Sequence, residues 1–140
     1  MPTMPLTLDE ANLVVIGALE KAAELGIRVS VAVCDNGGRL IAFSRMDGSS
    51  WAGIRGSMGK ASASSGFRRP SGDLAQMADS SIFRSVFEEE NGRVIATKGA
   101  VPAFRDGFIV GACGVGGGTG DQDEECARAG VLKLGLTVTA

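Results

Sequence analysis

The chain has 140 residues, with 14 basic and 16 acidic side chains giving a net charge of −2, and this length suits a single domain over residues 1–140. No basic excess exists to neutralise phosphates and no apolar run of about 18 residues exists to cross a bilayer, so neither nucleic acid nor a membrane is expected as a partner. The absence of histidine and tyrosine, with three cysteines in no C-x-x-C spacing, excludes a zinc knuckle, Ser-His-Asp and Cys-His catalysis, and histidine ligation of haem or zinc.

Met1-Pro-Thr-Met-Pro5 carries no signal-peptide pattern, so a cytoplasmic location is the expectation. Thr7-Leu-Asp-Glu10 fits a capping box, and the three- and four-residue steps from Leu8 through Ala11, Val15, Ala18 and Ala22 to Leu25 predict a helix that Gly26 ends. Residues 29–34 and 39–46 are extended runs about Asp35-Asn-Gly-Gly38, which is a β-hairpin. Its second run has apolar residues on both faces, which places the hairpin centrally in the sheet. Asp47-Gly-Ser-Ser50 offers capping groups to a helix over about 51–65, built largely from Ala, Gly and Ser. Such a helix lets another backbone approach closely, within the protein or at a subunit contact.

After a break at Arg68-Arg69-Pro70, residues 73–90 hold an amphipathic stretch ending in Glu88-Glu-Glu90. Residues 93–98 read as a short strand, and 99–102 as a loop or edge because Pro102 cannot donate to a ladder. Asp106-Gly107 is a hairpin signal ahead of a strand over 108–115, which stops in Gly116-Gly-Gly-Thr-Gly120 and opens a last helix over about 121–134. Hairpin connections dominate, so the sheet is antiparallel and the class α+β.

The glycine corner invites a dinucleotide-binding reading, but the spacing is wrong for G-x-G-x-x-G and the helix start is already acidic, so a phosphate would meet like charge. The run from Asp121 to Glu125 reads as a dipole complement, with a divalent-cation or general-base site as the alternative; no metal site is assigned. Cys34, Cys113 and Cys126 read as buried reduced thiols. Lys60 stands among small residues on a helix that also carries Trp51, Arg55 and Phe67. It is either a solvated helix lysine or a group that grips a carboxylate.

Four pieces in order, Val31-Ala-Val-Cys-Asp-Asn-Gly-Gly-Arg-Leu40, Lys60-Ala61, Lys98-Gly-Ala-Val-Pro102 and the stretch from Gly111 to Ala127, resemble the GlcG/HbpS-like family, over about residues 7–134. The resemblance implies a profilin-like α+β fold, with a five-stranded antiparallel sheet flanked by helices, and a homo-oligomer from dimer to octamer. It also implies haem as a candidate cofactor, but this chain lacks the histidine expected on the iron. Cysteine, methionine or lysine would have to serve.

The function expected is binding of a small organic or aromatic carboxylate, with proton transfer of the lyase or isomerase type. Lys60 and Glu124 are the catalytic candidates, with Asp123 as an alternative to Glu124. Arg45, Trp51, Arg55, Phe67, Gly116 and Gly117 are the ligand-binding candidates. The alternatives are a haem-binding redox sensor and a structural or partner-binding oligomeric module.

Overall fold

A computed structural model describes residues 4–140 of the chain; residues 1–3, part of the stretch read for a signal peptide, lie outside the described residues. Helix α1 (Leu8–Leu25) begins at the capping box. The Thr7 hydroxyl accepts from the Glu10 N–H at 3.1 Å and the Glu10 carboxylate accepts from the Thr7 N–H at 3.0 Å. Gly26 ends the helix at φ 72°. Strands β1 (Ser30–Asp35) and β2 (Leu40–Arg45) form the hairpin about the turn that Asp35 closes, its carboxylate accepting from the N–H groups of Gly37 and Arg39.

Helix α2 (Ala52–Phe67) follows, with the Ser50 hydroxyl accepting from the Ala52 N–H at 3.3 Å. The amphipathic stretch divides into a 3-10 helix (Ser71–Met77) and a short helix α3 (Ser81–Glu89). Strands β3 (Ala100–Arg105) and β4 (Phe108–Gly116) meet at the expected Asp106–Gly107 turn, both residues at positive φ, and helix α4 (Gly120–Lys133) closes the order.

The sheet is antiparallel in the order β2-β1-β4-β3. It has four strands, not five. The segment 93–98 is the missing strand. It leaves the sheet and lies along α2, where the Ile95 N–H donates to the Gly59 carbonyl at 3.0 Å. A second expectation also changes. Only β1 of the first hairpin is central; β2 is an edge strand, mostly half-buried with exposed ends, so its apolar residues do not mark a strand covered on both sides.

The sheet separates two different cores. On one face Val31, Val33, Val101 and Val115 meet Val14, Ala18, Cys126 and Val131 of α1 and α4. On the other, Ala32, Cys34, Ala112 and Gly114 receive α2. Gly114 is required there, because a Cβ at that position would run into the Ser57 carbonyl and lie 2.8 Å from the Ala61 nitrogen. A satellite cluster of Ala63, Leu74, Phe83 and Val94 seats α3 against the far end of α2. No helix among the described residues is long and apolar enough to cross a membrane.

Candidate functional site: an arginine-lined cleft and a buried ion pair

The expected site residues are distributed over several places. Lys60 turns from α2 towards the glycine corner, where its Nζ lies 3.3 Å from Asp123 Oδ2 and 3.4 Å from the Lys98 carbonyl oxygen. Both side chains of this pair are under a tenth exposed. Asp123 Oδ1 accepts from the Gly118 N–H at 2.8 Å, and the Gly117 N–H also faces the carboxylate. Burial pushes the Asp123 carboxyl above its usual range, against the pull of Lys60 and of these N–H groups. The corner's donors are thus taken by the chain's own carboxylate, which is the physical reason it is no phosphate cradle.

The acidic run is dispersed rather than convergent. Asp121 pairs with Lys98, Asp123 with Lys60, Glu124 with Arg128 and Glu125 with Lys21. Among the described residues, no three cysteine or acidic side chains gather as a metal site would require. Glu124 lies 3.3 Å from Arg128, one turn along α4. Arg45 donates to the Ser49 carbonyl at the end of β2, and Trp51 is 78% exposed ahead of α2. Gly116 and Gly117 end β4 against the backbones of Gly53 and of Arg28 and Val29.

A well-formed cavity lies elsewhere. A cleft of about 740 Å³ opens between α2, the β1–β2 turn and the segment 89–95. Its α2 wall is Arg55, Met58, Gly59 and Ser62, a single helical face. Ala32, Cys34 and Ala61 form its floor, and Leu40 and Ile95 its apolar sides. Arg39, Arg55 and Arg93 are among its lining residues, with Glu89 and Glu90. Arg39 Nη1 and Nη2 donate to the two Glu90 carboxylate oxygens at 2.7 and 3.4 Å. Arg55 and Arg93 have no carboxylate within ion-pair distance among the described residues.

A smaller groove of about 300 Å³, lined by Phe67, Val86 and Val94, shares Ser62, Glu89 and Glu90 with the cleft. Phe67 itself stacks on Phe83 with ring centroids 5.5 Å apart. Of the expected ligand-binding residues, then, Arg55 lines the cleft and Phe67 the adjoining groove. Arg39, Met58, Ser62 and Arg93 were not among the expected residues. The helical step Arg55-Met58-Gly59-Ser62 was the available signal for the second and third; Arg39 and Arg93 carry none, because only tertiary folding brings them to α2.

Cys34 is no nucleophile on that floor. Its Sγ–H donates to the Ala61 carbonyl at 3.4 Å, and burial pushes the thiol up to about 12. All three cysteines are buried and free.

Comparisons with known proteins agree with this architecture. The family model described as haem-degrading protein HbpS-like matches residues 6–132, and the chain belongs to that family. Among curated relatives, the protein GlcG of Escherichia coli K12 is 33% identical over 110 residues, covering 79% of this chain and 80% of its own. A crystal structure of a double mutant of Streptomyces reticuli HbpS superposes with a TM-score of 0.81 at 28% identity, covering 94% of this chain and 88% of that one. The crystal structure of a PduOC:heme complex superposes with a TM-score of 0.87 over 98% of this chain and all of that one, and at 20% identity it speaks for the fold alone.

Proposed function

We propose that this protein binds a carboxylate-bearing ligand with an apolar body, seated in the cleft between α2, the β1–β2 turn and the segment 89–95. The observation that carries the reading is the lining itself. Three arginines are among the residues lining a cavity of about 740 Å³ whose floor is alanine and cysteine, a size and make-up within the usual range for ligand pockets, roughly 300–1,000 Å³. Guanidinium forks match carboxylates in geometry as well as charge. Neither Lys60 nor Glu124 lines this cleft, so the proposal is of binding, with no proton-transfer step.

Haem is the second reading, favoured by the family's description as haem-degrading. The cleft suits its carboxylates better than its iron. The arginines would hold the propionates, and Met58 is the one available soft donor on the wall, since the Cys34 thiol stays protonated. Bound haem would supply redox chemistry.

Assembly into a homo-oligomer belongs to the same proposal. Leu13 and Ile16 on α1 and Trp51 ahead of α2 are exposed apolar surface that a second copy would cover. A monomer by light scattering at micromolar concentration would speak against it.

The test is a thermal-shift screen across small organic and aromatic carboxylates and hemin, with the triple variant R39A/R55A/R93A alongside. A ligand at a hundred times its Kd stabilises the fold by about 2.7 kcal/mol, a readily visible rise in Tm. Hemin should in addition give a saturable Soret band. If the triple variant responded to every hit as the wild type does, the assignment to this cleft would fail.

A further inference from the structure

The three arginines of the cleft are not equivalent. Arg39 is engaged by both oxygens of Glu90, which bridges the β1–β2 turn to the end of α3. Arg55 and Arg93 have no ion-pair partner among the described residues and stand on two different walls, one on α2 and one on the segment that follows the Asn91–Gly92 turn. That second wall is fixed, since Ile95 is tied to the Gly59 carbonyl and Val94 is buried against Ala63. Apolar Met58 shares the α2 wall with Arg55 and Ile95 shares the other wall with Arg93, with Leu40 also in the lining and the groove of Phe67 and Val86 adjoining.

Resting on the carboxylate-binding reading above, we propose that the ligand is a dicarboxylate, an apolar body whose two carboxylates are taken separately by Arg55 and Arg93. The Arg39–Glu90 pair stands as the fixed end of the cleft. A monocarboxylate satisfies one guanidinium and leaves the other bare. A dicarboxylate satisfies both, and its second anchor adds affinity without a second loss of translational freedom. Glu89 on the rim opposes the ligand, and its exposure leaves it screened by solvent.

The experiment is calorimetric titration of the full chain with benzoate, isophthalate and metal-free protoporphyrin IX, repeated on R55Q and R93Q. Benzoate and isophthalate share a ring and differ in one carboxylate; protoporphyrin keeps two carboxylates on a far larger body. Isophthalate is expected to bind about tenfold tighter than benzoate, the size of one charge-assisted anchor at an accessible site. Each single variant should remove about that factor, bringing isophthalate down to the benzoate level. Arg55 and Arg93 are exposed residues, so Tm without ligand should stay as in the wild type. If only protoporphyrin binds and loses affinity in both variants, two-point anchorage holds and the body is tetrapyrrole-sized. Equal affinities for benzoate and isophthalate, with protoporphyrin indifferent to both variants, would overturn the dicarboxylate while leaving carboxylate binding in place. No heat from any of the three in the wild type overturns both readings.

Discussion

The two faces of the sheet are built on opposite principles. The face that meets α1 and α4 is branched and large, with Val14, Val31, Val33, Val101, Val115 and Val131 fully buried, and its stability comes from apolar area removed from water. The face that meets α2 is alanine, glycine, serine and one cysteine. It buries little per residue and gains instead from backbone proximity and polar ties. The Ser65 hydroxyl donates to the Asp35 carbonyl at 2.8 Å, and Lys60 meets Asp123. The cleft opens on this second face, where small side chains leave volume unfilled beyond the sheet. One face buries the branched apolar side chains; the other leaves room.

The sharpest way to break the second face is through its buried ions. Asp123→Ala leaves Lys60 buried without a partner and should cost about 3–5 kcal/mol in a denaturant titration. Pairing it with Lys60→Met should restore much of that loss, because an apolar replacement of a buried pair is often neutral. If Asp123→Ala cost no more than a surface change, the pair would not be holding α2 to the glycine corner.

A matched pair of methyl-scale changes comes next. Gly114→Ala adds a methyl to the α2 face and should cost about 1–3 kcal/mol by forcing backbones apart. Val131→Ala removes methyls from the other face and should cost about 1.5–3 kcal/mol through lost burial. The contrast holds if one face is damaged by addition and the other by removal; a Gly114→Ala variant as stable as the wild type would erase it.

The smallest effect is a pH slope. The Thr7 N–H, reinforced by Arg105, holds Glu10 below its ordinary 4.5. A carboxylate with a depressed pKa adds stability above 4.5 and loses it as pH falls through its folded value. The advantage of wild type over Glu10→Gln should therefore shrink as pH is lowered from neutrality below 4.5. An advantage constant with pH would mean that hydrogen bonding alone, without charge, sustains the cap.

Local signals made much of this fold readable. Thr7 and Glu10 announce α1, Asp106–Gly107 announces the β3–β4 hairpin, and Pro102 fits the edge position that β3 occupies. The fifth strand was misread because residues 93–98 have strand composition, yet their hydrogen bond goes to Gly59 on α2, a choice made by tertiary packing. The same limit applies to the cleft. Arg55 was legible because a helix fixes its neighbours at three- and four-residue steps. Arg39 meets Glu90 across 51 residues of chain, and no local period encodes such a meeting. Lys60 was legible as unusual, but the identity of its partner, Asp123 rather than a ligand, depended on where the glycine corner turned.

One detail at the C-terminus bears on solubility. The tail runs beside β3, where Phe104 and Thr137 exchange backbone hydrogen bonds at 2.8 and 3.2 Å. This short bridge occupies part of an otherwise bare strand edge, the kind of surface on which a stranger's backbone can template itself. At the opposite end of the sheet β2 has no such cover among the described residues. The molecule is therefore asymmetric towards strand addition: a chain shortened before Leu136 would expose two open edges instead of one, and the newly bared edge would carry buried, apolar β3 into contact with its neighbours.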